Sequence, residues 1–132
     1  GQVAIVTGAG NGIGEATATM LANLGAKVAV CDIEIACAER VAQNITNCGG
    51  TAIAVACDVG SQEQIERTVE EVAAQLGSID ILVNNAGIIR YGRPEEMTYK
   101  DWTDVLNIDV TGTWLMSKEV VNVYMGELEE KL

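Results

Sequence analysis

The chain begins with a short apolar run that passes without a break into a glycine-rich turn: Val3-Ala4-Ile5-Val6-Thr7-Gly8-Ala9-Gly10-Asn11-Gly12-Ile13-Gly14. Four apolar residues before Thr7 are too few for a helix and suit a parallel strand covered on both faces. Gly8, Gly12 and Gly14 follow in the spacing G-x3-G-x-G. Such a turn needs backbone angles that a Cβ forbids, and it needs a small residue where the next helix meets the strand. It also leaves the backbone bare where a pyrophosphate could approach. The helix that starts beside it offers unpaired N–H groups and the positive end of its dipole to an anion.

The residues beyond the turn support a βαβ unit. A helix is expected from Ile13, with Ile13, Ala16, Met20, Leu21 and Leu24 as its apolar positions and Gly25 as its stop. A second strand, Lys27 to Cys31, ends at Asp32, 18 residues after Gly14. A dinucleotide fold places there the acid that holds the adenosine ribose. The next helix is expected over about Ile35 to Cys48, ended by Gly49-Gly50. Thr51 to Cys57 is a third strand, closing on Asp58. Ser61 and Gln64 predict a capping box for a helix that ends at Gly77. Ile79 to Val83 is the fourth strand and runs into Asn84-Asn85-Ala86-Gly87. Thr98 and Asp101 predict the cap of one long last helix carrying Trp102, Leu106, Val110, Trp114, Val121, Met125 and Leu128.

Strands alternating with helices predict an α/β fold: a doubly wound parallel sheet of Rossmann type, strand order 3-2-1-4, built as one domain over residues 1–132. The ligand crevice should lie at the C-terminal strand ends, where the first and fourth strands diverge. Thr7-Gly8, Asp32, Asp58 and Asn84 to Gly87 all fall on that edge. Asp58 has a second reading, as a residue that ends a strand and opens a turn.

Composition excludes several other classes. A formal net charge of −11 argues against nucleic acid or an anionic membrane as partner. No segment reaches the ~18 consecutive apolar residues of a membrane span. The chain enters a strand at once, without the basic start of a signal peptide. There is no histidine, and the four cysteines form no C-x-x-C pair, so no metal site is expected. Cys31 and Cys57 fall in expected buried strands and read as reduced core residues of a cytoplasmic protein.

Taken together, the motifs Thr7 to Gly14, Asp58-Val59, Asn84-Asn85-Ala86-Gly87 and Asn107-Ile108-Asp109-Val110 resemble those of the classical short-chain dehydrogenase/reductase family, over nearly the whole chain. The resemblance implies hydride transfer between an alcohol and a carbonyl with a nicotinamide cofactor. It places Gly8, Gly12, Ile13 and Gly14, with Asn11 in the same loop, along the pyrophosphate. Asp32 would hold the adenosine ribose, with Ile33 rather than a cation after it, which favours NAD over NADP. Asp58 and Val59 would flank adenine, and Asn84, Ala86 and Gly87 would run under the nicotinamide. Asn107 would be the asparagine of the family's catalytic tetrad; its other reading is a residue that marks a helix kink.

One departure from the family pattern is plain. No tyrosine here begins a Y-x-x-x-K motif: Glu95 stands four residues after Tyr91, Thr103 after Tyr99 and Leu128 after Tyr124. The chain is therefore expected to be the cofactor-binding part of a longer enzyme pattern and a poor reductase alone. The alternative is a binding-only dinucleotide module that self-associates. A homodimer or higher oligomer is expected, through the apolar edge of the fourth strand, the last helix, or both; the alternative is a monomer in which the last helix and the Arg90 to Pro94 loop fold back over that edge.

Overall fold

The computed structural model describes residues 1–132. Four parallel strands, β1 (Val3–Val6), β2 (Lys27–Asp32), β3 (Thr51–Ala56) and β4 (Ile79–Val83), form one sheet in the order β3-β2-β1-β4. Helices α1 (Gly12–Asn23) and α2 (Ile35–Asn47) cover one face. On the other face lie α3 (Gln62–Leu76) and a long C-terminal helix. That helix comprises α4 (Tyr99–Leu106), a π-helical segment over Asn107–Gly112, and α5 (Thr113–Glu130). This is the doubly wound Rossmann arrangement, with the expected strand order.

Alternation along the strands divides the core in two. Val3, Ile5, Ala29, Cys31 and Val55 face α3, where Ile65, Val69, Val72 and Leu76 meet them. Val6, Val28 and Val30 face the opposite layer, against Ala18, Ala22, Ala38, Val41 and Ile45. All four β1 residues are buried, as a central strand of a covered parallel sheet requires. The β1–β4 register shifts between Val3 and Ala4, which leaves Asp80 out of the ladder. Its carboxylate accepts the Val3 amide at 2.9 Å.

The buried face of α1 differs from the expected one. Gly14, Ala18 and Ala22, spaced by four, face the sheet, whereas Ile13, Met20 and Leu24 are 79%, 60% and 77% exposed. The reason is distance. A Cβ on Gly14 would lie 2.3 Å from the Gly8 carbonyl oxygen, so α1 sits too close to β1 for large side chains between them. A reading weighted on large apolar residues picks the outer face instead.

The α3 cap is also only half as expected. Ser61 Oγ accepts the Gln64 amide at 3.3 Å, but the Gln64 side chain accepts the Asp58 amide rather than returning to Ser61. The box at Thr98 and Asp101 is complete. In the last helix, the packing residues are Gly112, Leu115, Met116, Val120 and Val123. Trp102, Leu106, Val110, Trp114, Val121, Met125 and Leu128 form an exposed face. The π turn adds a residue to its turn and resets the register that the spacing alone would extrapolate.

Candidate functional site

The crevice opens at the C-terminal ends of β1, β2 and β4. Its floor is set by an exchange of hydrogen bonds between two loops. The Thr7 hydroxyl accepts the amides of Asn85 and Ala86 at 3.1 and 3.0 Å. Asn85 Nδ2 returns donors to the carbonyls of Thr7 and Gly8, both at 3.1 Å. Gly8, with φ +61°, packs so close that a Cβ would stand 2.9 Å from Ala86 Cα. The loops after β1 and β4 are thereby fixed as one surface.

A cavity of about 390 Å³ lies over that surface. The first loop contributes Gly8, Asn11 and Ile13, and the second strand end Asp32 and Ile33. Cys57, Asp58 and Val59 come from the end of β3, then Asn85 to Ile88 from the β4 loop, and Ile108 from the π segment. Of the expected site residues, the fold brings Gly8, Asn11, Ile13, Asp32, Ile33, Asp58, Val59, Ala86 and Gly87 to this cavity. Gly12 and Gly14 are not in its lining. Gly12, at φ +55°, turns the chain into α1, and Gly14 permits the close approach described above.

Two expected residues point elsewhere. The Asn84 side chain turns to α5, where its amide donates to Ser117 Oγ at 3.1 Å. The Asn107 amide donates to the Gly60 carbonyl at 3.3 Å and faces an adjoining hollow shared with Ile33 and Asp58. From the same π segment it is Asp109 that reaches the β4 loop, its Oδ1 accepting the Ile88 amide at 2.9 Å.

Asp32 is the buried acid of the cavity wall, 8% exposed. Its Oδ2 accepts the Gly10 amide and its Oδ1 the Glu34 amide, each at 2.9 Å. A carboxylate has about four lone-pair sites, so two remain for hydroxyl donors from the cavity. Asp58 holds its own turn, with Oδ1 accepting the Gly60 amide at 2.8 Å. Burial pushes the Cys57 thiol up from the ordinary cysteine range, an effect opposed by the Thr68 hydroxyl beside it. That hydroxyl is fully buried and has no hydrogen-bond partner.

Several of these residues escape a reading of spacing. Gly10 lies inside the glycine run without a role of its own in the motif, yet a Cβ there would be 2.8 Å from the Asp32 carboxylate and 2.7 Å from Cys37 Cβ. Asn85, Cys57 and Asp109 take their roles from partners far away in sequence. The advance signals are Asn85's place in the run at the end of the fourth strand, Asp109's in the run Asn107 to Val110, and the buried strand expected at Cys57.

The fit to a dinucleotide can be tested on these contacts. The amides that head α1 have no carbonyl in their own helix to pair with. Gly8 and Gly10 occupy positions where a Cβ has no room. A fixed carboxylate with free lone pairs stands one strand away. An anion site, a bare backbone approach and a diol acceptor are thus provided side by side, which is the donor set that a dinucleotide needs.

Comparison with known proteins agrees. The family model described as short chain dehydrogenase matches residues 2–130. The chain is 41% identical over 120 residues to a D-threitol dehydrogenase of Mycolicibacterium smegmatis, covering 91% of this chain and 46% of that protein. A solved short chain dehydrogenase from Mycobacterium avium superposes with a TM-score of 0.92 at 31% identity, covering 98% of this chain and 48% of the other. A 3-ketoacyl-(acyl-carrier-protein) reductase from Brucella melitensis, solved with NADH, superposes with a TM-score of 0.86 at 37% identity, covering 92% and 50%. The chain thus spans about half the length of the relatives it matches.

Proposed function

The chain belongs to the short-chain dehydrogenase family, and on that premise we propose that residues 1–132 form the NAD-binding part of an oxidoreductase acting between an alcohol and a carbonyl. The observation that carries this reading is the Asp32 carboxylate, buried at the cavity wall and tied to the glycine loop through Gly10. When bound, a nicotinamide dinucleotide supplies or takes up the hydride. The chain's own residues bind and orient it. The amides of Gly12 and Ile13 at the head of α1 face the pyrophosphate, and Asp32 accepts the adenosine ribose hydroxyls. Asp58 and Val59 flank adenine, and Ala86 and Gly87 lie beneath the nicotinamide side.

The preference for NAD over NADP comes from rigidity as much as from charge. Both Asp32 oxygens are held by backbone amides, so the carboxylate cannot swing away from a 2′-phosphate, and Ile33 offers it no positive charge. Titration calorimetry with NAD+ and NADP+ tests the assignment. NAD+ is expected to bind at least about tenfold tighter; equal or tighter NADP+ binding would overturn it.

Within residues 1–132 no tyrosine is paired with a lysine four residues on, so no acid–base pair of the family type is present in this stretch. A positioned general acid contributes about 10²–10⁴-fold. Residues 1–132 by themselves are therefore expected to bind cofactor without appreciable turnover of secondary alcohols or ketones. The exposed apolar face of α4 and α5 favours a second reading, in which this chain acts as a self-associating binding module.

A further inference from the structure

Gly10 lies between two opposite charges. Its amide donates to Asp32 Oδ2 at 2.9 Å, and its carbonyl accepts Arg40 Nη2 at 2.9 Å. Arg40 reaches back from α2 and is also forked onto Glu15 in the first turn of α1. Nη1 lies 2.9 Å from Oε1 and Nη2 2.8 Å from Oε2. The arginine side chain is 49% exposed and the glutamate 31%, so the pair sits on the rim of the glycine loop in reach of solvent. The fork holds the Glu15 carboxyl below its usual range and raises Arg40.

This arrangement bears on the ribose. A 2′-phosphate on the adenosine would have to sit beside Asp32, and a nearby arginine is what ordinarily accommodates one. Arg40 is separated from Asp32 by Gly10 alone. Its two-pronged face, which matches phosphate as well as it matches carboxylate, is already occupied by Glu15. We propose that Glu15 is a specificity-determining residue that withholds the Arg40 guanidinium from a ribose 2′-phosphate and so reinforces the exclusion of NADP by Asp32. Two carboxylates then set the choice of cofactor, Asp32 by direct repulsion and Glu15 by occupying the cation. The proposal rests on the placing of the adenosine ribose at Asp32.

The test is calorimetric affinity for NAD+ and NADP+, with thermal melting to confirm that each variant is folded. The variants are E15Q, D32S, D32S/E15Q, and that double variant carrying R40M or R90M. D32S/E15Q is expected to bind NADP+ at least about tenfold tighter than D32S does, with NAD+ affinity little changed. R40M should erase the gain, and R90M, whose guanidinium reaches Ile89 and Asp101 rather than Gly10 or Glu15, should leave it intact. Equal NADP+ affinity in D32S and D32S/E15Q, or a gain that survives R40M, overturns the proposal. Because Asp32 also anchors Gly10 and Glu34, D32S could fail to fold; E15Q alone then decides. A fall of about threefold or more in the ratio of NADP+ to NAD+ dissociation constants, reversed by R40M, supports the proposal, and an unchanged ratio overturns it. A wild-type chain that binds neither cofactor would instead defeat the dinucleotide reading itself.

Discussion

Thr7 and Asn85 secure each other's strand ends across the sheet. The threonine hydroxyl accepts the amides of Asn85 and Ala86, and the asparagine amide donates to the carbonyls of Thr7 and Gly8. Thr7→Val keeps the shape of the side chain but leaves the Ala86 amide without an acceptor, while the Asn85 amide keeps the Val83 carbonyl at 3.1 Å. An unsatisfied buried donor costs about 1–3 kcal/mol. We expect Thr7→Val to lower the unfolding free energy by about that amount, read as a reduced urea midpoint at unchanged slope. An unchanged midpoint would mean that water satisfies the Ala86 amide.

The glycines of the first loop should separate by mechanism. A Cβ on Gly12 meets open space, so Gly12→Ala pays only for the positive φ, about 1–2 kcal/mol. A Cβ on Gly14 would lie 2.3 Å from the Gly8 carbonyl and 2.5 Å from Asn85 Nδ2. Gly14→Ala must therefore push α1 off the sheet, at about 3 kcal/mol. Melting temperatures should fall in the order wild type, Gly12→Ala, Gly14→Ala. The reverse order would contradict the tight α1–β1 contact.

Strong acid should loosen the start of α4. The Thr98 hydroxyl and amide hold the Asp101 carboxyl below its ordinary range. A depressed pKa contributes stability above the unfolded value of ~3.9, and the contribution is lost as pH falls through the lower folded value. The stability difference between wild type and Asp101→Asn should be present at pH 7 and shrink to nothing at pH values well below 4. Trp102, next in the chain, reports the change by fluorescence. A difference that persists in strong acid would show that Asp101 acts through something other than its charge.

Much of the fold is legible in the residues because glycine and alternation are local signals. Val3 to Val6 announces a covered strand, and Gly25, Gly49 and Gly77 end helices at positive φ as expected. The hidden part depends on distance in space. The close α1 contact selects Gly14, Ala18 and Ala22, which carry little hydrophobic weight, over Ile13, Met20 and Leu24. The π segment over Asn107–Gly112 forms where Gly112 meets Val59 and Asp109 meets Ile88, and no spacing rule marks either contact. For the same reason Asn84 reads as a cavity residue, while the structure gives that place to Asn85.

The exposed stripe of the last helix should drive self-association. Trp102, Val110, Trp114 and Val121 are each about 60% exposed on one face, beside the free edge of β4. Soluble monomers rarely carry so continuous an apolar surface. Light scattering is expected to give a mass above the 13.9 kDa of one chain at micromolar concentration. Val121→Glu, at a solvent-facing position, should lower that mass without lowering stability. A monomer throughout the dilution series would contradict the expectation.

The central claim is that the crevice at the C-terminal strand ends holds NAD through Asp32. A crystal structure of the chain grown with NADH tests it most directly. We expect the adenosine ribose within hydrogen-bond distance of the Asp32 carboxylate, the pyrophosphate at the amides of Gly12 and Ile13, and the nicotinamide end toward Ala86 and Gly87. Dinucleotide density on any other surface, or a ribose that makes no contact with Asp32, would contradict it.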